Sequence, residues 1–185
     1  MRHTFGPSAQ GPTWRKETIT APAQQLLNPL DALARQVARR PDAVAFVQPQ
    51  GGGKTREYTW RQIDDEARRM AFYLTTLDIP ARSNIALMSK NCAEWILCDL
   101  AIWMAGHVSV PLYPTLAAQT VNQIMTHCGA PILFVGKLDT WHEMAPGVPA
   151  GVTRIAFSLA PDEARAAYPV WTDLVDQYRP LEDIA

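Results

Sequence analysis

Residues Ser89–Thr115 read SKNCAEWILCDLAIWMAGHVSVPLYPT, and this stretch encodes a helix, a tight turn and a strand in succession. Asn91 and Glu94 have the spacing of a capping box, in which the cap residue and the third helical residue exchange hydrogen bonds. Nearly every side chain that follows, up to the turn, is apolar, and Asp99 is the exception. This pattern predicts a helix that lies buried between other layers of structure.

The second half of the stretch predicts how this helix ends and what comes after it. Gly106 supplies the left-handed turn that commonly terminates a helix. A short strand at Val108–Val110 follows, and Pro111 closes it. A buried helix that leads directly into a strand is typical of the crossover units of parallel sheets. Asp99 needs a hydrogen-bond partner or access to water, because an unpaired carboxylate is costly on such an apolar helix.

The same alternation of helix and strand extends over most of the chain. Strands are predicted at residues 84–88, 132–135 and 153–157, and helices at residues 59–77, 117–128, 138–144 and 172–178. A first helix begins at Asn28 and Pro29, and two strands at residues 43–47 and 56–58 form a hairpin across the glycine-rich segment 49–55. The fold class is therefore α/β, a largely parallel sheet with helices on both faces, preceded by a β-hairpin.

Length and composition exclude several classes of protein. The chain has 185 residues and a formal net charge of −1, which gives no indication of a nucleic-acid partner. Its three cysteines form no CxxC pair, so we expect free thiols in a reducing, cytoplasmic setting, with peripheral membrane association as an alternative. Residues 1–25 hold glycine and proline among polar residues and predict a flexible leader. Residues 26–185 are expected to form one α/β subdomain that is incomplete at its C-terminal end.

The segment Gly51–Thr55, GGGKT, is similar to the end of a phosphate-binding loop. That loop needs a glycine where Gln48 stands, and it must lead into a helix. Here it leads into the strand that contains Tyr58. We therefore interpret the segment as a hairpin turn and give Lys54 no catalytic role.

Other candidate sites lack the required spacing. The histidines and the three cysteines do not form the two close pairs of a structural zinc site, so no metal ligands are predicted. Neither a GxSxG elbow nor a GxGxxG turn is present. The apolar side chains Trp95, Trp103 and Met104 are interpreted as core, with a ligand-stacking surface as the alternative.

Two motifs connect this chain to a known family. The segment Tyr58–Ile63, YTWRQI, resembles the first shared motif of adenylate-forming enzymes, and Trp103–Pro111, WMAGHVSVP, resembles the second. Together with SKNCAEW at residues 89–95 and LYPT at residues 112–115, they are similar to AMP-forming long-chain fatty-acid acyl-CoA synthetases. The resemblance covers most of residues 28–178.

The resemblance implies an activity for the full enzymes, and it also implies that this portion alone lacks that activity. The full enzymes adenylate a fatty acid with ATP and Mg²⁺, release pyrophosphate, and pass the acyl group to the thiol of coenzyme A. Their glycine-rich phosphate loop, their adenine and ribose contacts and their catalytic lysine lie downstream of the region matched here. No bound cofactor is therefore expected on this chain alone, and no catalytic residue is assigned to it.

The resemblance also implies which residues border a ligand. The loop after the second motif lies near the coenzyme A entrance, which here means Leu112, Tyr113 and Pro114. A basic residue after the next strand contacts the coenzyme A phosphates in related enzymes, and here that residue is Lys137. The alternative for Lys137 is an ordinary exposed lysine at the start of a helix.

Three hypotheses for function remain open. The first is an N-terminal piece of a long-chain fatty-acid–CoA ligase, inactive by itself, whose partner is the remainder of the synthetase. The second is a stand-alone, non-catalytic domain that binds an acyl ligand or a protein partner. The third, a flavin- or nucleotide-binding flavodoxin-like domain, rests on fold alone. The segment Leu181–Ala185 shows no closing element, so we also expect self-association through an uncovered surface.

Overall fold

The computed structural model describes residues 28–184, so the leader predicted at residues 1–25 lies outside the described residues. Helices and strands alternate along the chain, as the sequence pattern predicts. In order they are α1 Pro29–Arg39, β1 Val44–Gly51, β2 Lys54–Thr59, α2 Trp60–Thr75, β3 Asn84–Met88, α3 Ala93–Met104, β4 Val108–Leu112, α4 Ala118–Cys128, β5 Ile132–Val135, α5 Trp141–Met144, a 3-10 turn Ala145–Gly147, β6 Thr153–Ala156, α6 Asp162–Ala167 and α7 Trp171–Gln177.

Four parallel strands form the central sheet in the order β4-β3-β5-β6. The side chains of successive β3 residues point to opposite faces of the sheet, as in any β-strand. Ile85 and Leu87 belong to a core cluster with α2, α3 and α7, whereas Ala86 and Met88 belong to a second cluster with α4, α5 and α6. The predicted α/β class, with helices on both faces, is confirmed.

A separate two-stranded antiparallel sheet contains β1 and β2. Gly52 and Gly53 connect the strands with φ angles of 57° and 74°, the left-handed region that a two-residue hairpin turn needs. Lys54 is the first residue of β2 and pairs with Gly51. The GGGKT segment is therefore a hairpin turn, as predicted, and does not lead into a helix.

Two predicted helix caps have different outcomes. At α2 the capping box is confirmed, since the Gln62 amide donates to Thr59 Oγ1 at 3.3 Å and the Thr59 amide donates to Gln62 Oε1 at 2.9 Å. At α3 the predicted box of Asn91 and Glu94 is wrong. Cys92 is the cap residue and its side chain makes no capping hydrogen bond. The Glu94 carboxylate instead accepts hydrogen bonds from Ser158, a residue distant in sequence.

The buried helix and its C-terminal turn are confirmed. Most side chains of α3 are buried, and Gly106 has a φ of 74°. Met104 lies in the core, but Trp95 and Trp103 are only partly buried against it. Cys92, Cys98 and Cys128 are free thiols, as expected.

The main difference in secondary structure is α6, which the sequence pattern did not predict. This six-residue helix buries only Ala164, so it carries no apolar periodicity for a pattern to detect. The predicted helix at 138–144 is also shorter and begins at Trp141. Across residues 28–184, none of the helices combines the length and the hydropathy required to span a bilayer.

The edge strand β4 limits how another strand can pair with it. The Val108 amide donates to Ser83 O, so Val108 and Val110 direct their backbone groups toward β3. Ser109 and Pro111 therefore direct theirs outward. Since proline has no amide hydrogen, Pro111 removes one donor from the open edge. Self-association through an uncovered surface stays a prediction.

Candidate functional site

The carboxyl ends of the four parallel strands meet at one edge of the sheet. From β3 the chain places β4 on one side and then β5 on the other, so the direction of strand order reverses between β3 and β5. Ligands of open α/β sheets bind outside the carboxyl ends of the strands at such a reversal. We call this region the carboxyl edge, and it comprises residues 89–91, 112–114, 136–137 and 157–158.

A compact hydrogen-bond arrangement fixes the centre of the carboxyl edge. The Lys137 amide donates to Ser89 Oγ, and the Lys90 amide donates to Lys137 O, both at 2.9 Å. The Gly136 amide donates to Met88 O at 2.8 Å. A Cβ atom on Gly136 would lie 2.2 Å from Ser89 Oγ, so only glycine fits there without displacement. The loops after β3 and β5 therefore form one unit.

An ion pair reinforces this unit at its surface. Lys90 Nζ pairs with the carboxylate of Asp139, which connects the loop after β3 to the segment after β5. Both side chains are substantially exposed. Since exposed pairs contribute little to stability, we regard the contact as an aid to loop alignment.

The predicted residues at the end of β4 and in the following loop, Leu112, Tyr113 and Pro114, line a groove of about 330 Å³, which we call the loop groove. Its walls are formed by Ser89, Asn91, Trp95 and the segment Pro111–Pro114. Leu112 is buried, whereas Tyr113 is 78% exposed. The partly buried Trp95 faces this groove, so part of the helix predicted as core also forms a ligand-accessible surface.

Lys137 lies on a neighbouring cleft of about 540 Å³, which we call the hairpin cleft. This cleft runs between residues 45–49 of β1 and the start of α3, where residues 91–93 and Ile96 line it. Val47 and Ile96 contribute exposed apolar surface. Asn91 borders both the hairpin cleft and the loop groove. The structure thus places the four predicted site residues on two adjoining depressions.

The first turn of α3 is held by residues that sequence analysis did not identify. Gln48 Oε1 accepts a hydrogen bond from the Ala93 amide at 2.8 Å, although the two residues are 45 positions apart. The carboxylate of Glu94 accepts from the Ser158 amide at 2.8 Å and from the Ser158 hydroxyl. Local patterns contain no signal for such distant partners. The only indication available was that Glu94 is a charged residue on a helix that must be buried.

Burial determines the electrostatics beside this turn. Desolvation raises the pKa of Glu94 above its ordinary value, although the hydrogen bonds from Ser158 act in the opposite direction. Burial also raises the pKa of the neighbouring Cys92 thiol and of Tyr58. A thiol of this kind is protonated at neutral pH, so Cys92 is not an activated nucleophile.

Asp99 has the partner that its burial requires. The Ser109 hydroxyl donates to Asp99 Oδ1, which connects α3 to β4. Desolvation raises the pKa of this carboxyl group, and the Ser109 hydrogen bond partly offsets the increase. The contact is structural because it joins two packed elements. No three His, Cys, Asp or Glu side chains come together in the described residues in a way that could hold a metal ion.

Comparison with protein sequences identifies relatives. A family profile described as AMP-binding enzyme matches residues 33–182. A dioxo-octahydroindenyl-propanoyl:CoA ligase of Mycobacterium tuberculosis (strain ATCC 25618 / H37Rv) is 30% identical over 117 residues, which are 63% of this chain and 22% of that ligase. An uncharacterized protein of the same strain is 29% identical over 119 residues, which are 64% of this chain and 66% of that protein.

Solved structures share the fold. A structure of the anthranilate CoA ligase AuaEII in complex with anthranoyl-AMP superposes with a TM-score of 0.71 at 22% identity. A benzoate CoA ligase from Burkholderia xenovorans LB400 superposes with a TM-score of 0.70 at 21% identity. Each comparison covers 86% of this chain and 30% of the solved one. Since the family profile matches most of its length, the chain belongs to the AMP-binding enzyme family.

Proposed function

We propose that this chain supplies the amino-terminal α/β portion of an AMP-forming CoA ligase that activates long-chain fatty acids. In that ligase, ATP and a fatty acid form an acyl adenylate and pyrophosphate, and the coenzyme A thiol then displaces AMP to give a thioester. Family membership supports the general reaction. The motifs at residues 89–95 and 112–115 support the long-chain substrate class through their resemblance to fatty-acid synthetases.

The observation that carries the proposal is the pair of adjoining depressions at the carboxyl edge. The loop groove has the apolar walls Trp95 and Leu112, which suit the extended pantetheine arm of coenzyme A. Lys137 contributes an exposed cationic side chain to the hairpin cleft, which suits the phosphates at the other end of that molecule. Asn91 lies where the two meet and offers amide donor and acceptor groups.

The chain by itself is proposed to lack adenylation activity. It spans 22% of the curated CoA ligase and 30% of each solved ligase chain. Its only glycine-rich segment with a lysine is the hairpin turn at Gly51–Thr55, which offers no helix N-terminus to a triphosphate.

Titration of the polypeptide that contains the whole ligase with coenzyme A, monitored by isothermal calorimetry, tests the assignment of the carboxyl edge. Lys137→Ala is expected to weaken binding roughly two- to fivefold, the effect of losing one exposed ion pair. Lys54→Ala is the matched control, because Lys54 is also an exposed lysine but lies at the hairpin turn. An equal effect of the two substitutions would remove Lys137 from the proposed site.

The substrate class requires a separate measurement on the polypeptide that contains the whole ligase. Acyl-CoA formation from palmitate and from benzoate is compared at equal concentrations. We expect a clear preference for palmitate. Benzoate is the informative competitor because one structural neighbour is a benzoate CoA ligase. Preferred turnover of benzoate would retain the ligase class and reject the long-chain assignment.

A stand-alone, non-catalytic binding protein is the second candidate. The observation that favours it is the match to an uncharacterized protein over 66% of that protein's length, a far larger share than for the ligases. Sequencing the gene beyond codon 185 distinguishes the candidates. A reading frame that continues into a lysine-containing segment rich in Ser, Thr and Gly supports the ligase, and a stop codon supports the binding protein.

A further inference from the structure

One side-chain hydrogen bond joins the two walls of the hairpin cleft. Gln48 belongs to the β1 wall, and its Oε1 accepts from the amide of Ala93 on the α3 wall at 2.8 Å. The Gln48 amide nitrogen donates to Pro49 O at 2.7 Å, so the side chain is held at both of its polar atoms. Gln48 is only 7% exposed, although its neighbours along β1 are exposed.

This bond replaces a local cap that α3 lacks. The first amides of a helix have no partner within the helix and need an acceptor from elsewhere. The cap residue Cys92 makes no capping hydrogen bond with its side chain, so Gln48 supplies the acceptor from a distant element. On the next residue, the Glu94 carboxylate accepts a hydrogen bond from the Ser158 amide at 2.8 Å. The first turn of α3 is therefore fastened both to the hairpin and to the loop after β6.

The consequence concerns the geometry of the cleft. The hairpin is a separate sheet with no backbone ladder to the central sheet among the described residues. Its backbone continues into α2 at Trp60, whose amide donates to Ala43 O at 3.3 Å. No backbone hydrogen bond joins it to α3 among the described residues, so its separation from α3 depends on side-chain contacts. We infer that Gln48 is a positioning residue of the carboxyl edge, which sets the separation of β1 from α3 and the orientation of Asn91 beside Lys137. That the aligned cleft receives coenzyme A rests on the proposed function, whereas the alignment itself does not.

Two methionine substitutions test this inference. Gln48→Met keeps the length of the side chain and removes its acceptor, whereas Gln50→Met makes the same change at an exposed position on the same strand. NMR spectra of the free protein report the Asn91 side-chain amide and the Ile96 methyl groups. Calorimetric titration of the whole ligase carrying the same substitutions measures its affinity for coenzyme A, at a temperature where each variant is fully folded.

The inference predicts shifted Asn91 and Ile96 resonances in Gln48→Met and about fivefold weaker coenzyme A binding, with both properties unchanged in Gln50→Met. Lower thermal stability together with unchanged Asn91 and Ile96 resonances would show a purely structural cap and overturn the inference. If the unmodified whole ligase does not bind coenzyme A while the resonances shift as predicted, the positioning role stands and the proposed ligand is wrong. Unchanged resonances overturn the positioning role whether or not coenzyme A binds.

Discussion

Replacement of Gly136 by alanine is expected to disrupt the carboxyl edge. Gly136 lies between β5 and Lys137, and its backbone does not need the left-handed region. A Cβ atom placed there would lie 2.2 Å from Ser89 Oγ, 2.3 Å from Ser89 Cβ and 2.8 Å from Phe157 Cδ2. Ordinary contacts of a Cβ atom lie at 3.4–4 Å. At least one of the surrounding loops must therefore move.

The cost of this substitution has two parts. Overpacking of a filled site destabilises a protein by about 1–3 kcal/mol. Displacement of Ser89 also weakens the hydrogen bond that its Oγ accepts from the Lys137 amide, which contributes about 1 kcal/mol. The sum is roughly 3 kcal/mol, which corresponds to a decrease of about 6–12 °C in Tm for a domain of this size. Chemical denaturation with urea measures the free energy of unfolding, and calorimetry measures Tm.

Gly129→Ala provides a matched control. Gly129 follows α4 with a φ of 60°, but no atom lies within 4 Å of the position that its Cβ would occupy. Only the left-handed backbone is penalised there, at a cost of about 1–2 kcal/mol. A loss of stability in Gly136→Ala no greater than in Gly129→Ala would refute the packing described for the carboxyl edge. An unshifted Lys137 amide resonance in Gly136→Ala would refute it as well.

Two further predictions concern the buried carboxyl groups. Burial raises the pKa of Glu94, so its contribution to stability is present below the unfolded-state pKa and is lost as pH rises through the folded-state value. The free energy of unfolding, measured by urea denaturation at a series of pH values, should therefore fall less steeply with rising pH in Glu94→Gln than in the unmodified chain. The exposed control Glu143→Gln should keep the slope of the unmodified chain. Equal slopes in the two variants would contradict this prediction. Ser109→Ala removes the donor to Asp99 and should cost about 1–3 kcal/mol in the same assay, and a cost near zero would show that Asp99 has another partner.

Local pattern was sufficient for most of the fold. The apolar runs that became β3 and β5 have the predicted bounds, because both strands are buried on both faces and contain few polar residues. Gly106 ends α3 as predicted, and Gly129 ends α4 in the same way, since each adopts a positive φ that other residues rarely adopt. Alternating strands and helices form a parallel sheet, and the carboxyl ends of parallel strands lie at the same edge of that sheet. The positions of Tyr113 and Lys137 at that edge follow from this constraint.

The residues that organise the edge could not be predicted in the same way. Asn91 and Glu94 satisfy the capping-box spacing, but the tertiary partners Gln48 and Ser158 replace the local exchange. Both partners are distant in sequence, and only the folded chain brings them to α3. Ser158 also follows the last strand of the sheet, so its role depends on the complete strand order.

Release of pyrophosphate shows whether this portion alone can adenylate a fatty acid. The purified 185-residue chain is incubated with ATP, Mg²⁺, palmitate and coenzyme A, and pyrophosphate is measured by a coupled enzymatic assay. We expect no release above the background measured without palmitate, because the groups that hold the triphosphate are proposed to lie outside this portion. Sustained palmitate-dependent release of pyrophosphate by the chain alone would contradict this expectation.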